Sequence, residues 1–350
     1  MTTVIEPGAS VLVINVARIG DTLMTTPVLR AIKAACPGAR VGCLAHPKRV
    51  AVLKGAPWVD RLGVITPKRA SWHGWFSSNT WDYAIVYGHD AALIRYAARV
   101  ARRVVAFEQG DPSLESKLCC AVPMPRPRER MHVVEEHLLL PAALGIGTDD
   151  HRLAYFCSDA EIREARAWLE TQAPGAERVV GFQVASFPTK SYRDWSMENF
   201  AALGGRLLDQ YPGSRLVILG GDESVSRADW LRRQLGERVV IAAGRMSLRQ
   251  SAAIMQGLDL YVGVDTGPTH LAGALGIPMV GLYHCYHRSR RFAPLQHPNL
   301  RVVEHPRPDA ECDRDVPMDE ITVDAVWAQV KDLLDRERVQ KSPVPAETKP

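Results

Sequence analysis

Between Val262 and Tyr283 the chain reads VGVDTGPTHLAGALGIPMVGLY, an apolar run that breaks on Asp265-Thr266-Gly267-Pro268 and resumes as an alanine-rich stretch with His270 near its start. These residue types suit an anion. Proline at the first position of a helix sacrifices no hydrogen bond. Gly267 removes a side chain from the approach to the helix end, where free N–H groups and the helix dipole favour negative charge such as a diphosphate. Thr266 can cap that helix or bind a phosphate oxygen, and His270 lies in its first turn on a similar side. Asp265 is the odd member, because an acid repels an anion; it could position hydroxyls or order the loop.

Three other loops carry comparable chemistry. ARIGDTLMTTP (17–27) follows an apolar run and offers Gly20, where the backbone can bend unusually or approach a ligand, and Asp21. A carboxylate there could act as a general base toward a hydroxyl, and it could equally be a helix N-cap. ASFPTKSYRDW (185–195) supplies Ser186, Thr189, Lys190 and Arg193, small hydroxyls and cations that suit phosphate oxygens, or else a solvated loop. GGDES (220–224) places Asp222 and Glu223 after two glycines, where acids in nucleotide-binding folds accept ribose hydroxyls and elsewhere cap helices. HCYH (284–287) has no matching cluster elsewhere, so a metal is not expected. The arginines of HRSRRF (287–292) read as a modest basic spot at the surface.

What must position these loops is an alternation of strand and helix. Short Val/Ile-rich runs at 10–17, 40–46, 61–65, 82–88 and 103–107 read as buried parallel strands, with helical spacing at 26–35 between the first two. Residues 110–130, rich in proline and charge, read as a long loop, and 132–145 returns to helix. The second half repeats the pattern, with strands at 178–185, 215–221, 238–243, 258–264 and 277–283 and helices at 196–211, 226–236, 247–257 and 323–339. The fold class expected is α/β: two Rossmann-like, doubly wound parallel sheets facing a cleft, with ligands at the carboxyl ends of the strands. The boundaries are 1–172 for the first domain, 173–322 for the second, 323–339 for a closing helix and 340–350 for a disordered tail.

Composition narrows the class. A chain of 350 residues, 46% hydrophobic and 23% charged, is too long for one ordinary core and fits a soluble globular protein. No apolar run is long enough to span a membrane, and the start has no signal-peptide pattern. Seven cysteines, an odd count with no Cys-x-x-Cys, predict neither a disulfide framework nor a zinc site and suit a reducing cytoplasm. The net charge of +4 is too mild to demand nucleic acid. Residues 1–150 hold 18 Lys/Arg against 13 Asp/Glu, hence +5, and the remainder 25 against 26, hence −1, a bias compatible with an anionic partner of the first half. The absence of G-x-G-x-x-G after the first strand argues against a dinucleotide cofactor there.

RIGDTLMTTPVLRAIKAACPGARV (18–41) and DTGPTHLAGALGIPMVGLY (265–283) resemble glycosyltransferase family 9, the bacterial heptosyltransferases of lipopolysaccharide assembly. RMSL (245–248) and EEHLLLPAALGI (135–146) are similar to further family segments, and the likeness runs to about residue 335. The resemblance implies a GT-B fold and an inverting, metal-independent transfer from an ADP-heptose donor, without a cofactor. The donor would be held mainly by the second domain. The acceptor, an anionic lipid-linked saccharide at the cytoplasmic face of the inner membrane, would be held mainly by the first, with peripheral membrane contact. It makes Asp21, after Gly20, the base that deprotonates the acceptor. Thr266, Gly267 and His270 become the diphosphate turn and Asp265 its acid, Met246 the packing surface for adenine, and Glu223 or Asp222 the ribose acceptor. One departure concerns the second loop, where the family usually has Lys two residues before a Trp. Here Arg193 precedes Trp195, and Lys190 lies three residues earlier. Either cation could hold the departing phosphate, with Lys190 taken for the chemistry and Arg193 as a substrate contact. The alternatives are a transferase of the same fold with another nucleotide sugar or acceptor, an epimerase of similar fold, and a non-catalytic nucleotide-binding protein.

Overall fold

The computed structural model describes residues 5–73, 80–127 and 130–341. Contacts divide the chain into two compact units. The first is Met1–Glu161 with Gly273–Leu275 and Ser289–His297; the second is Ile162–Ala272, Gly276–Arg288 and Pro298–Pro350.

The first unit is built on six parallel strands, β1 (Ser10–Asn15), β2 (Arg40–Ala45), β3 (Arg61–Val64), β4 (Trp81–Val86), β5 (Ala101–Phe107) and β6 (Cys120–Val122), in the order β3-β2-β1-β4-β5-β6. The second has six more, β7 (Arg178–Gln183), β8 (Ser214–Leu219), β9 (Val239–Ile241), β10 (Leu260–Val264), β11 (Met279–Tyr283) and β12 (Leu300–Glu304), in the order β12-β11-β10-β7-β8-β9. Read from the other edge, the second order repeats the first. Each sheet therefore reverses direction between its first and fourth strands, and the loops that follow those strands open at the switch point where doubly wound sheets bind ligands.

The central strands are mainly apolar because both faces are covered. Every residue of β1, β10 and β11 is buried. Val28, Leu29 and Ile32 of the Thr26–Ala35 helix bury together with Val11 and Val13 of β1. Ser196 caps the Met197–Gln210 helix by accepting the Asn199 N–H at 3.3 Å, and Phe200, Leu203 and Leu207 pack with Phe182 of β7. A reciprocal cap, Ser247 with Gln250, starts the Leu248–Gln256 helix.

Two strands depart from the expectation. Residues 110–130 are not one long loop: they hold a helical turn, Pro112–Glu115, and β6, whose Cys120 pairs with Val105. Three residues at a sheet edge, stopped by Pro123, are too short for a period to register. β12 was not expected either. It is an edge strand with Val302 38% exposed, so it lacks the continuous apolar run of a central strand. The closing helix runs over Val323–Lys341. Of the expected tail, residues 342–350 lie outside the described residues, as do Arg128 and Glu129 of the proline-rich stretch.

Candidate functional site

In the first unit, β1 leads into a five-residue helix, Ile19–Leu23, and Asp21 is its third residue rather than its N-cap. The Asp21 carboxylate reaches back to accept the Arg18 N–H at 3.3 Å. Its backbone carbonyl accepts from Asn15 Nδ2 at 3.2 Å and from Thr25 Oγ1 at 3.0 Å, so the end of β1 and the next turn hold it from below. Gly20 is buried inside this helix and adopts no left-handed angle. His137 packs under the same turn. Its Nδ1 lies 3.3 Å from Met24 O, its ring is 4.6 Å from that of Tyr87, and Tyr87 Oη donates to His137 O at 2.8 Å.

In the second unit the loops after β7 and β10 meet. Asp265, at the end of β10, is only 2% exposed. Arg193 Nη1 donates to its Oδ2 at 2.8 Å and to its carbonyl at 3.0 Å, and His270 Nε2 lies 3.5 Å from its Oδ1. The acid thus binds a guanidinium on one side and an imidazole on the other, and fixes both beside the N-terminus of the Gly267–Leu275 helix. Thr266 Oγ1 lies 3.3 Å from Val264 O. Thr269, fully buried, ties the helix to β10 through Val264 O at 2.5 Å and Tyr261 Oη at 2.9 Å.

The loop carrying the cations is stapled from within. Asp194 Oδ1 accepts the Ser186 N–H at 2.7 Å, and the Ser186 hydroxyl lies 2.6 Å from that oxygen and 2.7 Å from Lys190 O. Arg227 Nη2 bonds the other Asp194 oxygen at 2.8 Å, and its Nη1 donates to Val184 O at 2.9 Å. Ser186 is therefore engaged in shaping the Pro188–Arg193 turn. Thr189 is exposed and Lys190 half-buried, its Nζ 5.9 Å from the Tyr192 ring centre.

After β8, Gly220 holds φ +130°, and a Cβ there would stand 2.2 Å from Ser224 Oγ, so only glycine fits. Asp222 and Glu223 follow, both exposed, with Glu223 Oε1 accepting the Gly221 N–H at 3.0 Å. Met246 is half-buried in the loop between β9 and the Leu248–Gln256 helix.

The HCYH stretch holds a correction: Cys285 and Cys312 form a disulfide, and the other five cysteines are free. The partners lie 27 positions apart, and neither the odd total nor the spacing pointed to them. Among the described residues, His284, Cys285 and Cys312 are the group of possible metal ligands whose donor atoms lie within 4.8 Å of one another. His284 Nε2 lies 2.8 Å from Val316 O, its Nδ1 accepts the Tyr286 N–H at 3.0 Å, and both sulfurs are bonded to each other. As arranged, that donor set is already engaged. Arg291, read from sequence as surface, is 14% exposed in an ion pair with Glu136 at 2.8 Å within the first unit.

Burial depresses three of these histidines. His137 is lowered by loss of solvent, against the opposing pull of Asp21 and Glu136. His284 is likewise lowered by burial, and His287 is pushed down to about 3 by burial and then by Arg193 and Lys190. In the unfolded chain each takes up a proton near pH ~6.5. The unfolded state then binds more protons than the folded one, so stability is full above that pH and falls on acidification below it. For His137 alone the loss is bounded at about 1.4 kcal/mol per pH unit. The urea midpoint is expected to drop between pH ~7.5 and ~5; equal midpoints would rule this out.

The structure thus brings Arg193, Asp265, Thr266, Gly267 and His270 together at one switch point and puts Asp21 at the corresponding place in the other sheet. Asp194, Arg227 and Tyr192 had no sequence signal, because their partners are brought to them by the sheet and not by spacing.

Residues 91–321 match the family model described as Glycosyltransferase family 9 (heptosyltransferase). Lipopolysaccharide heptosyltransferase 3 of Escherichia coli is 22% identical over 282 residues, 75% of this chain and 80% of that protein. Among solved structures, a glycosyl transferase family 9 protein from Veillonella parvula DSM 2008 superimposes with a TM-score of 0.83 at 18% identity, over 95% of this chain and 99% of that one. The E. coli heptosyltransferase WaaC with ADP-2-deoxy-2-fluoro heptose gives a TM-score of 0.66 at 20% identity, over 94% and 99% of the two chains.

Proposed function

The chain belongs to glycosyltransferase family 9, the heptosyltransferases, and is a glycosyltransferase of GT-B fold; from that premise we propose that it moves heptose from ADP-heptose to a hydroxyl of a lipopolysaccharide core acceptor, with inversion and without a metal ion. The observation that carries the donor half is the Arg193–Asp265–His270 arrangement beside a helix N-terminus at the end of β10. A guanidinium aligned by a buried carboxylate, next to the positive end of a helix dipole, matches the charge that a departing diphosphate develops. The relatives' activities point the same way: one is a lipopolysaccharide heptosyltransferase, and another was solved with an ADP-heptose analogue.

In this reading Asp21 takes the proton from the acceptor hydroxyl. The oxygen attacks the anomeric carbon as the bond to the β-phosphate breaks, and ADP leaves with the electron pair. Lys190, Arg193, Thr266 and the Gly267 amide stabilise the leaving diphosphate, with His270 beside them. Asp222 or Glu223 accepts the ribose hydroxyls, and Met246 packs the adenine. Ser186 acts through the loop it clamps, and Thr189 contacts phosphate from its rim. The domain limits proposed are 1–172 for acceptor binding and 173–322 for donor binding. Among the described residues no helix is long and apolar enough to cross a membrane. The proposed location is the cytoplasm, with peripheral contact at the inner membrane where a lipid-linked acceptor would be met. Turnover of ADP-heptose with truncated lipopolysaccharide acceptors, with and without chelator, is the test.

A further inference from the structure

Arg314 has no part in the mechanism above. It lies in a short turn pinned at both ends to the residues that follow β11. Cys312 is joined to Cys285, and Val316 O lies 2.8 Å from His284 Nε2. Inside the turn, Asp313 Oδ1 accepts the N–H groups of Asp315 at 2.8 Å and Val316 at 3.2 Å. The position of Arg314 is thus set by a covalent bond and three hydrogen bonds, although the side chain itself is exposed.

Its guanidinium carbon lies 5.2 Å from the ring centre of Tyr286 and 5.9 Å from that of Tyr192. The Tyr192 ring also has Arg193 at 5.5 Å and Lys190 Nζ at 5.9 Å. Three cations therefore gather around one tyrosine, and the aromatic face offsets only part of their repulsion. His287, whose ring is 5.9 Å from Tyr192, stays neutral among them, held down by burial first and then by Arg193, Lys190 and Arg314. Like charges collected at a loop rim are what an anion with several negative oxygens needs.

We propose that Arg314 is a third cation of the diphosphate seat, acting with Lys190 and Arg193, and that the Cys285–Cys312 disulfide holds it in place in the oxidised protein and frees it where the surroundings are reducing. This rests on the donor reading above. Reduction by a dithiol releases the tether. The reagent's two thiols supply two electrons and two protons, the S–S bond breaks, each cysteine becomes a thiol, and the reagent closes to its own disulfide.

Titration calorimetry with ADP, inorganic pyrophosphate and adenosine, and with UDP and GDP on the wild type, tests this on the wild type, Arg314→Ala and Arg314→Lys, with Arg336→Ala on the C-terminal helix as a control. The expected result is about five- to tenfold weaker binding of ADP and pyrophosphate by Arg314→Ala, largely restored by lysine, with adenosine unchanged. Unchanged affinity for both phosphates, or an equal loss for adenosine, overturns the proposal. If the wild type prefers UDP or GDP to ADP, the donor reading falls, and pyrophosphate, which carries no base, still decides the role of Arg314. Wild-type protein that binds no pyrophosphate and no nucleoside diphosphate overturns both. Reduction with dithiothreitol should bring wild-type affinity for ADP down to that of Arg314→Ala and leave the variant unmoved; no change on reduction overturns the tether.

Discussion

Asp21→Asn is expected to slow glycosyl transfer by about 10²–10⁴-fold while leaving ADP affinity within about twofold of wild type. The split follows from where Asp21 sits. Its carboxylate accepts one long hydrogen bond from Arg18 N–H, which an asparagine oxygen can replace, so the Ile19–Leu23 turn should survive. The backbone bonds from Asn15 and Thr25 are untouched by the substitution. What disappears is the ability to take a proton. The donor groups lie on the other sheet, after β7 and β10, so ADP binding has no reason to change. Rates measured at saturating donor and acceptor, with ADP titrated separately, check both halves. Transfer at the wild-type rate would remove Asp21 from the chemistry.

The second large effect is expected from Asp265→Ala. Removing this carboxylate leaves Arg193, 13% exposed, without its ion-pair partner and His270 without its acid. Breaking a buried pair from one side costs about 3 kcal/mol or more. A lower urea midpoint is therefore expected together with at least about tenfold weaker ADP binding, since both groups lose the orientation that aims them at phosphate. Asp265→Asn, which keeps an acceptor but not the charge, should fall between. Stability and ADP affinity both equal to wild type would show that Asp265 aligns nothing. The sign is informative as well: if Asp265 merely repelled the diphosphate, its removal would tighten binding.

Most of the architecture was legible because buried parallel strands leave a strong mark. β1, β7, β10 and β11 are short, mainly apolar runs, each with at least two Val or Leu, bounded by polar loops, and the Thr26–Ala35 and Leu248–Gln256 helices announce themselves by Pro27 and by Ser247 with Gln250. β6 and β12 escaped because short or half-exposed edge strands bury too little to force a pattern. Around the site, residue types were visible and partnerships were not. Asp265 beside an anion turn made little sense until Arg193, 72 positions away, was found on its carboxylate. Asp194 looked like any loop acid, yet it joins Ser186 to Arg227. Cysteine counting failed for a related reason: an odd total says nothing about one pair that β11 and a later turn bring together. Spacing reports what is near in sequence, whereas these contacts are made by strand order.

Heptose transfer from ADP-heptose is read out by a turnover assay. Wild-type protein is incubated with ADP-heptose and a series of truncated lipopolysaccharide acceptors, and ADP release and acceptor mass are followed together. The expected result is ADP release that depends on one acceptor in the series, an acceptor heavier by one heptose residue, and the same rate in the presence of a chelator. No heptose transfer to any acceptor, in protein that turns over a different nucleotide sugar or merely binds nucleotide, would contradict it.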